Sequence, residues 1–439
     1  MVQYLKSAKR TRESETRFPT KAVRAMLDEI RAGGEARVHA YAKELDGWAG
    51  DVVVGPEQIE AAARVLPQRL KDDIDYARDN IARFAHAQLA TISDTEIELK
   101  PGLIAGQKLI PMSAAGCYVP GGRYSHIASA IMTVTTARAA GVGYVSACSP
   151  PRGKGGVPPE IVYTLNICGA DQILALGGVQ GIAALAQGLF GTRPADILVG
   201  PGNQYVAEAK RLLFGDVGID LFAGPTDTMV LADDTADAHF VAWDLVGQAE
   251  HGHNSPVSLA TDDAELAQTV LKLVPGHIDR LPAFNRDNAR AAWRDFGEIM
   301  LCANREEVAQ CADRKAPEHL HVQAADLDWW LGRLGAYGSL FLGAETTVAF
   351  GDKASGPNHV LPTSGAARYT GGLSVLKFLK MVTWQRADVT SLRDLAQVTA
   401  RISRQEGMEG HARTADIRLE KYFPGEDFDL AAPFAGVKD

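Results

Sequence analysis

A carboxylate and an imidazole stand side by side at Glu318 and His319, within the run Ala-Pro-Glu-His-Leu at residues 316–320. Neighbouring groups of this kind, when their surroundings push their pKa values apart, can divide the proton transfers of a catalytic cycle. A surface Glu beside a structurally bonded His gives the same pattern without any catalytic role. The pair is therefore a candidate acid–base centre, and the motif alone leaves the structural interpretation open.

A candidate metal-binding pair lies at the end of a predicted helix, where Gln248 precedes His251 by three positions. Residues three apart share a helix face, so an amide oxygen and an imidazole could reach one cation. The same residues also suit an ordinary helix C-terminus, where a His interacts favourably with the helix dipole. Likewise, His359 lies in a segment rich in Pro and Gly, which could simply shape a loop.

Two glycine-containing turns each follow a predicted strand and precede a predicted helix. They are Gly177-Gly178-Val179-Gln180 and Gly200-Pro201-Gly202-Asn203. A turn in this position can present backbone N–H groups to a phosphate at the carboxyl edge of a sheet. Neither turn matches the full dinucleotide-binding glycine pattern, so a tight connection between strand and helix remains the alternative.

The elements that must position these residues alternate between helix and strand. Residues 21–91 have helical periodicity, and residues 96–120 contain short β-rich runs. From residue 127 onward, apolar strands alternate with helices of ten to fifteen residues, which is typical of parallel sheets with βαβ crossovers. The pattern predicts an α/β fold with two such units, followed by a long, polar, helix-like stretch towards the end of the chain.

The composition is that of an ordinary globular protein. The chain has 439 residues and a formal net charge of −9, and its charges form no dominant basic block. This argues against nucleic-acid and membrane partners. Five widely spaced cysteines without a CxxC pair argue against a disulfide framework, and the N-terminal region lacks a secretory pattern. We therefore expect a cytoplasmic protein.

Six motifs, taken in order, resemble the histidinol dehydrogenase family. They are GCYVPGG, GPGNQYVAEAKRLLFGDVGIDLFAGP, DLVGQAEH, APEHL, GDKASGPNHVLPTSGAAR and EGMEGHA. The resemblance implies two incomplete Rossmann-like domains with parallel sheets, a helical N-terminal arm and a C-terminal helical tail exchanged between the subunits of a homodimer. The boundaries it implies are 1–22 for the arm, 23–118 plus 232–372 for one domain, 119–231 for the other and 373–439 for the tail.

The resemblance also implies the chemistry, which is a four-electron oxidation of a primary alcohol to a carboxylate through an aldehyde, with two NAD and one zinc. His319 would be the general base, and Glu318 would activate water to attack the aldehyde. The implied zinc ligands are Gln248, His251, Asp352 and His411, the last from the other subunit. The implied NAD contacts are Tyr118, Gln180 and Asn203, and the implied substrate contacts are Thr226, His359 and Glu406.

The chain departs from the usual family pattern near several of these motifs. Thr226-Asp227 replaces Ser-Glu, and Lys377 replaces an acidic residue in the run LSVLKFLK. Arg123 and His126 fall in a stretch that is usually made of small residues and Pro. Most of these changes add positive or hydrogen-donating groups, which suit an anionic substrate better than the cationic histidinol.

The departures resemble the family's paralogues that oxidise 2,3-dihydroxypropane-1-sulfonate (sulfopropanediol) at C3 to 3-sulfolactate. On this interpretation the sulfonate meets some subset of Arg123, His126, Lys377 and Arg413. The alternative is a histidinol dehydrogenase whose surface charges have drifted, because isolated surface charges usually have small effects. A non-catalytic zinc-binding scaffold on the same fold is a more remote alternative.

Overall fold

The computed structural model describes residues 2–9, 19–121, 126–221 and 224–434. The chain forms two compact units, one made of Met1–Leu89 and Pro111–Phe378 and the other of Ala90–Ile110 and Leu379–Asp439. None of the helices in the described ranges is long and apolar enough to cross a bilayer.

Strands and helices follow one another along most of the described chain. The strands are β1 (Gln3–Lys6), β2 (Thr95–Lys100), β3 (Leu103–Pro111), β4 (Ala114–Tyr118), β5 (Tyr144–Ser149), β6 (Gln172–Ala175), β7 (Ile197–Val199), β8 (Gly218–Ile219), β9 (Thr228–Ala232), β10 (Val257–Thr261), β11 (Glu298–Leu301), β12 (His319–Gln323), β13 (Ser339–Leu342) and β14 (Leu379–Ala387). The α-helices are α1 (Thr20–Leu45), α2 (Pro56–Val65), α3 (Gln68–Leu89), α4 (Ile127–Ala139), α5 (Pro159–Ile167), α6 (Gly178–Gln187), α7 (Gln204–Leu213), α8 (Ala238–Ala249), α9 (Ala264–Ile278), α10 (Ala283–Phe296), α11 (Arg305–Lys315), α12 (Leu327–Arg333), α13 (Val348–Gly351), α14 (Val389–Gln405) and α15 (Glu409–Tyr422).

A five-stranded parallel sheet with the order β6-β5-β4-β7-β8 forms one half of the first unit. Helices α3, α4 and α5 contribute to the apolar core on one face of the sheet, and α1, α6 and α7 contribute to the core on the other. Since helices cover both faces of the sheet, the central strands are buried along their whole length, and their sequences are continuous apolar runs.

A six-stranded sheet with the order β1-β11-β10-β9-β12-β13 forms the other half of this unit. All neighbours are parallel except β1, which pairs with β11 in the antiparallel sense. Helices α8, α9 and α10 pack on one face, and α11 and α12 pack on the other. Strand β12 lies beside β9 with His319 opposite Thr228, so segments that are distant in sequence begin side by side.

The second unit contains a three-stranded sheet, β14-β3-β2, and the helices α14 and α15. The stretch predicted as one long helix is two, because Gly407 has φ +77 and the Met408 N–H returns to the carbonyl of Ser403 at 2.7 Å. A glycine in this left-handed conformation ends a helix by satisfying its last carbonyls. The two helices pack through a small core of Ala396, Ala400, Ala412, Ala415 and Leu419.

The predicted α/β class with parallel sheets is confirmed. The helical character predicted for residues 21–91 is also confirmed, by α1, α2 and α3. The dimer exchange of the C-terminal tail and the division into domains stay predictions. All five cysteines are buried thiols, and the sulfur atoms of Cys302 and Cys311 lie 3.8 Å apart although no motif pairs them.

Candidate active site

Glu318 and His319 lie where α11 has ended and β12 begins. Ala316 closes α11 with φ 45, an unusual left-handed conformation for a residue other than glycine, and Pro317 prevents the helix from continuing. The chain then enters β12 between β9 and β13. Both side chains are buried, with Glu318 5% and His319 3% exposed. The surface interpretation of this pair is therefore wrong.

Asp227, one residue before β9, is bonded to both members of the pair. Its Oδ1 accepts a hydrogen bond from the Glu318 N–H at 3.0 Å, and its own N–H donates to Glu318 Oε2 at 3.2 Å. The Asp227 carbonyl accepts from the His319 N–H at 3.1 Å. From the sequence, Asp227 is recognisable only as a departure from the family pattern, since Glu318 lies 91 residues away.

The His319 ring is surrounded by carboxylates, and neither of its nitrogens has a hydrogen-bond partner in the described structure. Nδ1 lies 3.8 Å from Glu318 Oε2, and Nε2 lies 3.4 Å from Asp352 Oδ1. A buried imidazole without fixed partners keeps its nitrogens available for a reacting group, whereas structural histidines are normally bonded.

The electrostatics of this cluster favour proton transfer. Burial raises the pKa of Glu318 to about 8. Burial opposes the charged form of His319, but the Glu318 and Asp352 carboxylates outweigh it and raise its pKa to about 9. Burial also opposes ionisation of Asp352, yet the adjacent His319 holds its pKa well below the usual range. Both pKa values thus lie slightly above neutral pH, in the range where a group can both hold and give up a proton during a reaction.

Three of the four predicted zinc ligands lie in the first unit. His251 Nε2 is 3.8 Å from Asp352 Oδ2, and Gln248 Oε1 accepts a hydrogen bond from the Thr228 hydroxyl at 3.2 Å. Thr228 lies opposite His319 in the pairing of β9 and β12, so Gln248 is bonded to the residue that faces His319 across the strands. No group of three or more His, Cys, Asp and Glu side chains that could hold a metal occurs in the described part of the chain.

Two further predicted residues connect this cluster to the five-stranded half. His359 Nδ1 contacts the Asp352 carbonyl at 2.8 Å, and His359 Nε2 contacts the Ser129 hydroxyl of α4 at 3.0 Å. His126 immediately precedes α4. Burial and nearby positive groups lower the pKa of His126 to about 4, so its imidazole is neutral at pH 7. Those groups are His359, Lys353, His251 and Arg152.

The remaining predicted substrate residues are distributed more widely. Thr226 is half-buried and directly precedes Asp227. The Lys377 ammonium donates to the Thr370 hydroxyl at 3.1 Å and lines a cavity of about 270 Å³ together with Phe214 and Tyr369. In the second unit, Glu406 follows α14, and the exposed residues His411 and Arg413 lie on α15. Arg123 lies outside the described residues.

The predicted NAD contacts all lie at the carboxyl edge of the five-stranded sheet. The hydroxyl of Tyr118 accepts from the Gly178 N–H at 3.1 Å. The buried Gln180 amide donates to Asp46 Oδ2 at 2.8 Å, and the Gln180 carbonyl oxygen has no hydrogen-bond partner among the described residues. Asn203 caps α7 by accepting from two backbone N–H groups. This edge is where open α/β sheets bind nucleotides, and no sequence motif had indicated Asp46.

The turn at Gly200 depends on having no side chain. Gly200 has φ +117, and a Cβ there would lie 2.1 Å from the carbonyl oxygen of Tyr118. We expect Gly200→Ala to lower the free energy of unfolding by about 2–4 kcal/mol, through left-handed strain and overpacking together. Gly215→Ala is the matched control, because Gly215 has φ +111 but open space around it. The free energy of unfolding of both variants is measured by chemical denaturation. An equal decrease in the two variants would show that the close approach of residue 200 to the Tyr118 carbonyl does not affect stability.

Comparison with known proteins identifies the family. The histidinol dehydrogenase family model matches residues 8–419. A sulfopropanediol 3-dehydrogenase of Ruegeria pomeroyi is 61% identical over 98% of this chain and 99% of its own length. A histidinol dehydrogenase of Rhizobium meliloti is 36% identical over 90% of this chain and 91% of its own length.

A solved structure agrees with these sequence matches. The crystal structure of histidinol dehydrogenase from Elizabethkingia anophelis superposes with a TM-score of 0.87 and 31% identity, and the match covers 91% of this chain and 92% of that one. The family model, the sequence identities and the shared fold lead to one assignment. The chain belongs to the histidinol dehydrogenase family and is a dehydrogenase that acts on CH–OH groups.

Proposed function

We propose that this dehydrogenase carries out an NAD-dependent, zinc-dependent four-electron oxidation of sulfopropanediol to 3-sulfolactate through an aldehyde. The proposed substrate is supported by the 61% identity to a sulfopropanediol 3-dehydrogenase, which extends over nearly the whole length of both chains. The observation that carries the chemistry is the buried pair Glu318 and His319, which offers two bases at one site.

The chain's own residues account for the proton transfers. His319 takes the hydroxyl proton as hydride leaves the alcohol carbon, which yields the aldehyde, and later releases that proton to solvent. Glu318 takes a proton from water as the water adds to the aldehyde carbon. The resulting hydrate anion still carries one O–H and one C–H bond, so His319 takes the second proton as the second hydride leaves, which yields the carboxylate. Glu318 and His319 then release their protons to solvent. NAD, when bound at the edge formed by Tyr118, Gln180 and Asn203, would supply the hydride acceptor, with one molecule consumed in each of the two oxidations.

The residues around Asp352 fit a zinc ion. An imidazole nitrogen from His251, a carboxylate from Asp352 and an amide oxygen from Gln248 form a borderline-to-hard donor set. His251 Nε2 lies 3.8 Å from Asp352 Oδ2, so these two candidate ligands are already close enough to share one cation. Zinc, when bound there, would polarise a substrate oxygen as a Lewis acid.

An anionic substrate is also supported by the charges near His126. The basic side chains of Lys353 and Arg152 are close enough to lower the pKa of His126. Such a field attracts a sulfonate and opposes the ammonium of histidinol. We therefore place the sulfonate near His126, with Arg123 and Lys377 as the other candidate anchors in the first unit.

We further propose that two copies of the chain share their active sites, with Glu406 and His411 supplied by the partner. The second unit carries several exposed apolar side chains, including Met381, Ile402 and Ile417, each more than half exposed. Apolar side chains exposed to this extent are available to pack against a partner subunit. A non-catalytic zinc scaffold, by contrast, would have no use for a buried pair of bases.

The substrate is tested by measuring NADH production from zinc-loaded protein with racemic 2,3-dihydroxypropane-1-sulfonate and with histidinol in parallel. We expect two NADH per sulfonate consumed and a kcat/KM at least about 100-fold higher for the sulfonate, since a misplaced charge costs several kcal/mol. Robust turnover of histidinol with little oxidation of the sulfonate would overturn the substrate assignment. One NADH per sulfonate would overturn the four-electron course.

A further inference from the structure

We propose that Asp227 is a positioning residue, which holds the Glu318 carboxyl group for the hydration of the aldehyde. This inference rests on the role proposed above for Glu318. It adds a residue that acts through Glu318 rather than by touching the substrate.

The contact between the two residues runs in both directions. The side chain of Asp227 accepts from the backbone of Glu318 at 3.0 Å, and the backbone of Asp227 donates to the side chain of Glu318 at 3.2 Å. Both residues are at least 95% buried. Buried polar groups that satisfy each other in this way are held in one geometry, because breaking either bond leaves an unpaired group away from water.

The reciprocal bonds fix one carboxyl oxygen of Glu318 and leave the other outside the contact. Oε2 accepts from the Asp227 N–H, whereas Oε1 takes no part in this pair of bonds. Holding Oε2 and the Glu318 backbone together restricts the rotation of the side chain. Oε1 then has a defined direction in which to meet a water molecule, which is what a base acting on water requires.

His319 is held differently. The backbone N–H of His319 donates to the backbone carbonyl of Asp227 at 3.1 Å. This bond is part of the pairing between the start of β12 and the segment that leads into β9. Substitution of the Asp227 side chain leaves that carbonyl in place. The side chain of Asp227 should therefore matter for the step that uses Glu318 and much less for the step that uses only His319.

The test separates the two oxidations. The first is followed as single-turnover NADH formation from the alcohol, and the second as steady-state NADH formation from the aldehyde supplied directly. We expect Asp227→Ala to slow aldehyde oxidation by roughly 10²-fold, the scale of a misplaced catalytic group, and alcohol oxidation by less than about tenfold. Asp227→Asn, which keeps an acceptor oxygen in the same place, should restore aldehyde oxidation to within a few-fold of the unaltered protein.

Equal losses in the two steps, or aldehyde oxidation that survives in Asp227→Ala, would overturn the inference. If Asp227→Ala does not fold, Asp227→Ser replaces it, because the serine hydroxyl keeps polarity but is too short to reach the Glu318 N–H. Glu318→Gln is assayed alongside. If it spares aldehyde oxidation, the proposed role of Glu318 fails; if it selectively blocks that step while the Asp227 variants do not, only the positioning inference fails.

Discussion

His319→Asn should lower kcat for alcohol oxidation by about 10²–10⁴-fold, the usual contribution of a general base. Asparagine fits the space but cannot accept the hydroxyl proton. The ring that it replaces has two nitrogens without hydrogen-bond partners among the described residues, and it is buried against the Glu318 and Asp352 carboxylates. The measurement is steady-state NADH formation at saturating alcohol and NAD, with circular dichroism to confirm the folded fraction.

His321→Asn is the matched control for that variant. His321 is fully buried on the same strand and the same face, but its nitrogens contact the Gly343 carbonyl at 2.9 Å and the Asp244 carboxylate at 3.3 Å. We expect His321→Asn to lower the free energy of unfolding by about 1–3 kcal/mol, because it leaves buried groups unpaired. Its kcat, measured on folded protein, should stay within a few-fold. If His319→Asn also kept its kcat within a few-fold, His319 would not be the base.

Asp352→Asn should weaken zinc binding by at least about 10²-fold, since even residues one shell removed from a metal contribute roughly 10–100-fold. The substitution keeps the shape of the side chain but removes the charge that faces His251 and His319. Zinc content after dialysis against a weak chelator, measured by atomic absorption, reports the change without relying on activity. Activity should fall in parallel and recover partly when zinc is added in excess.

Asp295→Asn provides the corresponding control, because Asp295 is also buried but pairs with Arg294 at the end of α10, a helix that contributes none of the candidate site residues. It should keep both zinc and activity. Zinc retention by Asp352→Asn equal to that of Asp295→Asn would remove Asp352 from the ligand set. The proposed oxidation would then depend on a metal bound elsewhere, or would proceed without a metal.

Local patterns in the sequence were sufficient for much of the fold. Apolar runs separated by amphipathic helices predicted parallel sheets, because a strand covered on both faces must be apolar along its length. The same patterns could not divide the C-terminal helical stretch correctly. Its break depends on one left-handed glycine, Gly407, in an otherwise helical run.

Local patterns likewise identified some residues of the candidate site and missed others. Glu318 and His319 are neighbours in the chain, and Gln248 and His251 lie three positions apart, so local spacing was enough to single them out, although α8 ends at Ala249 and His251 lies in the turn that follows it. The sequence by itself, through the order of its six motifs, also determined the family. These relations are short-range, and the geometry of a helix or a strand start makes them readable from residue spacing.

Only the tertiary structure decided which distant residues meet this pair. It placed Asp227 against Glu318 across 91 positions, and it placed Ser129 against His359, another candidate site residue, across 230. The choice of neighbouring strands is made by the packing of whole helices and sheets, which involves many residues at once. No local spacing records that choice, and for this reason Asp227 became visible only when β9 and β12 were seen side by side.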